Sequence, residues 1–90
     1  MVGVEVSGGD GSYLVEVTEA SSTTAYTVTV PPGMAADLGW GGREEALVAA
    51  AFAFLLEREP PGAILRRFGL EVITSYFPEF PAEITRRARV

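Results

Sequence analysis

Ninety residues with a formal net charge of −5 and 48% hydrophobic side chains make one domain, residues 1–90, with a single modest core. The chain contains no His, Cys, Lys, Asn or Gln. Most side chains used for nucleophilic, metal-assisted and acid–base chemistry near pH 7 are therefore absent, and disulfides are excluded. Carboxylates, Arg, hydroxyls, backbone groups and apolar surface remain, so no catalytic residue, cofactor or metal site is expected.

Other properties narrow the class further. Lack of Cys fits a reducing compartment, and Met1 to Asp10 holds neither a basic segment nor an apolar run. A cytoplasmic location is expected. The longest apolar run, Ala46 to Leu56, is well short of the roughly 20 residues that span a bilayer, so no membrane contact is expected. The acids concentrate before residue 60, whereas most Arg lie after it. Overall acidity disfavours non-specific nucleic-acid binding, while the basic end leaves a local contact open. High apolar content in a small chain points to exposed apolar surface, hence to a homo-oligomer or a bound protein partner.

Val2, Val4 and Val6 alternate with Gly3, Glu5 and Ser7, the period of a strand with one buried face. Gly8-Gly9-Asp10-Gly11 is turn chemistry, and Tyr13 to Thr18 resumes a strand, giving a hairpin. A single Asp among these glycines supplies too few oxygens for calcium. After the polar connection 20–24, Tyr26, Val28 and Val30 alternate with Thr27 and Thr29 in a third strand, which Pro31 and Pro32 end. Met34 to Leu38 forms one helical turn, and Gly39-Trp40-Gly41-Gly42 breaks the chain.

A long helix is expected over Arg43 to Arg58, with Glu44 and Glu45 in its first turn. Ala46 to Leu56 is apolar on every side, the pattern of a central buried helix. Ala46, Ala49, Ala50 and Ala53 leave a smooth flank that another backbone could approach closely. Pro60 stops this helix. Short helices are expected over Pro61 to Phe68, over Leu70 to Phe77 and from Pro81 to the end.

The Gly-rich loop before the long helix has the placement of a phosphate loop. Glu44 and Glu45 follow at once and Lys is absent, which excludes that chemistry. The close carboxylate pairs, Glu44/Glu45 and Glu57/Glu59, lie at helix ends, where solvated acids are ordinary. Trp40 either folds back onto the core or anchors an interface. Tyr76-Phe77-Pro78-Glu79-Phe80-Pro81 is either a turn that caps the core or a docking strip, so Trp40, Tyr76, Phe77 and Phe80 are the candidate interface residues. Arg66-Arg67 and the Arg86, Arg87 and Arg89 cluster either face solvent or touch phosphates. Residues 63–77, AILRRFGLEVITSYF, have helix-turn-helix-like spacing. Leu65 stands where a small residue is usual, and the would-be recognition helix starts with Glu71.

Residues 25–58 run from YTVTVPPGMAADLG to a helix that opens on Arg-Glu-Glu. They resemble the ribbon-helix-helix repressors and antitoxins. That resemblance implies an intertwined dimer reading DNA through strand residues, here Thr27 and Thr29. In this chain the first helix is short, two strands precede the ribbon, and the strand carries no basic residue. Residues 46–84 resemble a set of small bacterial proteins in which LEREP, ILRRF and YFPEF segments recur together, and this resemblance implies a shared domain without catalytic residues.

Taken together, these features predict an α+β domain. A three-stranded antiparallel sheet, residues 1–30, packs on the long helix 43–58, and short C-terminal helices close the core. The expected function is a non-catalytic, self-associating interaction domain. The alternative is a dimeric DNA-binding regulator or antitoxin of ribbon-helix-helix type, for which Arg86, Arg87 and Arg89 are further candidate nucleic-acid contacts.

Overall fold

The computed structural model describes residues 2–89; Met1 and Val90, the two ends of the expected 1–90 domain, lie outside them. The chain is α+β. Strands β1 (Val2–Gly9), β2 (Ser12–Glu19) and β3 (Ser22–Thr29) form an antiparallel meander. Two two-residue loops connect them and fix the register: Gly9 faces Ser12, and Glu19 faces Ser22. In the first loop both Asp10 (φ 54°) and Gly11 (φ 78°) are left-handed, as a type I′ turn requires. In the second, Ala20 alone carries a positive φ of 56°.

Period-two patterning decides the faces. Tyr13, Val15 and Val17 of β2 lie beside Val28, Tyr26 and Thr24 of β3, while Val6 and Val4 of β1 flank Val15 and Val17. These residues form the core face of the sheet, apart from half-buried Thr24. The opposite face carries Glu5, Ser7, Leu14, Glu16, Ala25 and Thr27 and has no layer over it among the described residues.

Helix α1 (Met34–Asp37) is a single turn. Helix α2 (Glu44–Leu56) crosses the core face of the sheet and buries Leu47, Val48, Ala51, Phe52, Phe54 and Leu55. It is not buried all round. Ala46 and Ala53 are exposed and Ala49 and Ala50 half-buried, so the alanine flank stays uncovered. Helices α3 (Glu71–Tyr76) and α4 (Phe80–Arg87) then close the core with Ile73, Phe80 and Ile84.

The expected helix over Pro61 to Phe68 is absent, and the three-stranded sheet gains a fourth strand. Pro61–Ala63 makes one 3-10 turn, and Ile64 is extended (φ −85°, ψ 134°). Strand β4 (Arg67–Gly69) then runs parallel to β3, with Val28 opposite Phe68. The cause is tertiary. The outer edge of β3 presents backbone groups that need partners once buried. Thr27 N–H donates to the Arg66 carbonyl (2.8 Å), and Leu70 N–H donates to the Thr29 carbonyl (2.9 Å). Local helix propensity in ILRR is worth only tenths of a kcal/mol per residue, about the same size or less than each hydrogen bond formed.

Candidate docking groove

Trp40 is folded into the core. The α1 C-terminus ends in a Schellman turn, with Gly39 left-handed at φ 84°. Gly39 N–H donates to the Ala36 carbonyl (3.1 Å) and Trp40 N–H to the Ala35 carbonyl (2.7 Å). This turn swings the indole inward, where its Nε1–H donates to the Ile84 carbonyl at 2.9 Å. The Arg43 guanidinium lies 4.7 Å from the ring centroid. Trp40 thus ties the glycine loop to α4 rather than presenting an exposed anchor.

The aromatic–proline strip divides. Phe80 is fully buried, with its ring edge-on to Phe54 at 5.1 Å. Phe77 is half-buried and meets Phe54 at 5.8 Å. Pro81 is geometrically suited to the first turn of α4, which begins at Phe80. Of the three rings, only Tyr76 stands out, 65% exposed. Of the four interface candidates, Trp40 and Phe80 are therefore core residues, and Tyr76 and Phe77 reach one common surface.

That surface is a groove of about 130 Å³ between the end of α2, the 3-10 turn, β4 and α3. Leu55, Ile64, Phe68 and Ile73 form its floor, and Leu65, Val72, Tyr76 and Phe77 its walls, with Glu59 at the rim. Leu65 is 51% exposed, a large apolar side chain left at the mouth. Leu65 and Val72 were missed in the sequence. Their only signal is that ILRRF, if extended, turns Leu65 away from Ile64, which helical spacing hides.

The segments LEREP, ILRRF and YFPEF hold this corner together. Arg58 of LEREP lies 3.7 Å over the Phe54 ring and donates to the Phe54 carbonyl (3.1 Å) and to Glu79 of YFPEF (3.3 Å). Phe68 of ILRRF packs 6.0 Å from Phe52. Glu57 accepts from Arg87 at 2.8 Å, which holds its carboxyl below the usual range. Arg86 and Arg87 likewise hold Glu83 low, and these two carboxylates raise the Arg87 guanidinium.

Those pairings bear on the basic cluster. Arg86 is engaged by Glu83, and Arg87 by Glu57 and Glu83, while Arg89 is exposed beyond α4. Thr27 and Thr29 lie on the open face of β3. β3 is paired on both sides, with β2 and with β4. It has no edge left for the two-stranded ribbon that the ribbon-helix-helix resemblance implies. With the 3-10 turn and β4 in place of a helix, residues 63–77 are not a helix-turn-helix either.

At the far end of α2, the Tyr13 hydroxyl donates to Glu44 Oε1 at 2.7 Å. This bond to a carboxylate, with burial and the charge of Glu44, pushes Tyr13 up to about 12. Tyr26 donates to the Pro61 carbonyl (2.6 Å), and burial raises it above its usual range. Among the described residues there is no group of three or more Asp/Glu side chains placed to hold a metal ion, and no helix is long and apolar enough to cross a membrane. Comparison with known proteins finds no matching family model, no matching curated protein and no matching solved structure.

Proposed function

We propose that this chain is a small, non-catalytic protein-interaction domain that seats an apolar side chain of a protein partner in the groove beside α3. One observation carries the reading: Leu65 and Tyr76, two of the largest exposed apolar side chains, flank the same apolar groove. Single exposed apolar residues are ordinary, whereas two at the mouth of a preformed concavity are the arrangement of a recognition site. The floor is rigid, because Leu55, Ile64 and Ile73 belong to the core. Binding therefore orders little beyond the partner, which lowers its entropic cost. The Tyr76 hydroxyl and the Glu59 carboxylate supply polar groups at the edge, the usual division between apolar centre and polar rim.

The test is a titration of ¹⁵N-labelled protein with short Gly/Ser peptides, each carrying a single Leu, Phe or Trp. Shift changes should cluster on Leu55, Ile64, Phe68, Val72 and Tyr76 and disappear in Leu65→Glu. Changes scattered over the sheet, or unaltered in Leu65→Glu, would overturn the groove as the binding surface.

A further inference from the structure

β1 is the outermost strand, paired with β2 on one side and, among the described residues, with nothing on the other. The hairpin register assigns its backbone groups. Gly9 faces Ser12 across a two-residue loop, so Gly9, Ser7, Glu5 and Gly3 exchange hydrogen bonds with β2. The N–H and C=O of Val2, Val4, Val6 and Gly8 consequently point to the open edge. Natural edges are blunted by Pro, Lys, bulges or short length. β1 has eight residues, no Pro, no Lys and an unbroken register.

Beside this edge, Val4 and Val6 line an apolar groove with Ala46 and Ala49 of α2. Along α2, Ala46, Ala49, Ala50 and Ala53 fall on one line and carry only methyl groups. Helices contacting through such residues approach to about 8 Å, the short end of the usual range.

We propose that a second copy of this chain docks here, β1 pairing antiparallel with its partner's β1 and α2 lying against α2. The strand is self-complementary in one register. Outward hydrogen bonds require even-numbered residues to face even-numbered residues. A two-fold axis through Val4 sets Val4 against Val4 and Val2 against Val6, β-branched pairs that suit a sheet. It also sets Glu5 against Gly3. An axis through Glu5 would oppose Glu5 to Glu5, one through Val6 would use Gly8, whose φ of 126° departs from an extended strand, and one through Gly3 would leave Val6 unpaired. The antiparallel helices bring the Arg43/Glu45 end of one copy beside the Glu57/Arg58 end of the other, so each rim holds charges of both signs from both copies. The sheet becomes eight-stranded, and its remaining edges are the two three-residue β4 strands.

Solution mass by light scattering after size exclusion, over a range of concentrations, tests this. The expected mass is twice the 9.6 kDa of the chain. Val4→Pro removes an outward N–H and leaves the β1–β2 ladder intact, and Ala49→Glu places a charge between the helices. Each should halve the mass with the circular dichroism unchanged, whereas Leu65→Glu in the other groove should leave it doubled. If Val4→Pro unfolds, Ala49→Glu carries the test alone. A wild-type chain that is monomeric at every concentration overturns the proposal, as does a dimer insensitive to Ala49→Glu. The chain has no Cys, so Val4→Cys reports the register. Paired Cα atoms about 5.5 Å apart permit a disulfide between copies. Val2→Cys should not cross-link, and cross-linking there in preference to Val4→Cys overturns the register.

Discussion

The aromatic–proline segment 76–81 and the alanine flank of α2 exchange the roles that their compositions suggest. The segment is built from the residues most often found at interface centres, yet Phe80 is fully buried and Phe77 is held against Phe54 under Arg58. The flank belongs to an apolar stretch that reads as core, yet Ala46 and Ala53 are exposed. Large rings fill the volume between α2 and α4, and once it is filled nothing within the same chain remains to cover the alanines. Which apolar residues remain available is thus decided by where volume must be filled, and hydrophobicity alone does not rank them.

The sharpest way to break this comparison is to truncate one member of each region. Phe80→Ala empties a ring site between α2 and α4 and should cost about 3–5 kcal/mol in chemical denaturation. Ala53→Ser on the flank should cost about 0.5 kcal/mol, the helix-propensity difference alone. Comparable losses from both would mean that the flank is packed within the chain itself.

Between these extremes, pH separates the two ends of α2. At the C-terminal corner, Arg87 and Arg86 hold Glu57 and Glu83 below the ordinary Glu range. Their folded values lie under the unfolded ones, so the contribution is present above the ordinary Glu range and is lost as pH falls through the folded values. At the N-terminal end, the bond to Glu44 raises Tyr13 to about 12. That contribution is complete below the ordinary tyrosine value near 10 and is lost as pH rises toward 12. Melting temperature followed against pH should show a shallower acid limb in Arg87→Met and a shallower alkaline limb in Tyr13→Phe. An unchanged acid limb in Arg87→Met would mean that the surface network contributes little, the usual result for exposed ion pairs.

Much of the architecture was legible because it rests on local chemistry. Alternation at Val2–Val6, Tyr13–Val17 and Tyr26–Val30 marks three strands, Asp10-Gly11 closes the first hairpin, and Pro60 stops α2. Of the candidate surface, Tyr76 and Phe77 were visible as a dense aromatic cluster, whereas Leu65 was hidden inside an expected helix. Trp40 was ambiguous in sequence because a residue between glycines has no local signal of direction. Its bond to the Ile84 carbonyl joins residues 44 positions apart.

The sequence by itself determined the α+β class, the three strands of the meander, the presence of a long helix between the glycine loop and Pro60, and the poverty of side chains for chemistry. Each follows from periodicity, turn residues or composition, which act over a few neighbours. Only the tertiary structure decided that residues 67–69 join the sheet as β4, that Trp40 and Phe80 turn inward, and that the β1 edge and the alanine flank lie side by side. Those outcomes depend on which backbone edge needs a partner and which volume needs filling, and both arise only when distant segments meet.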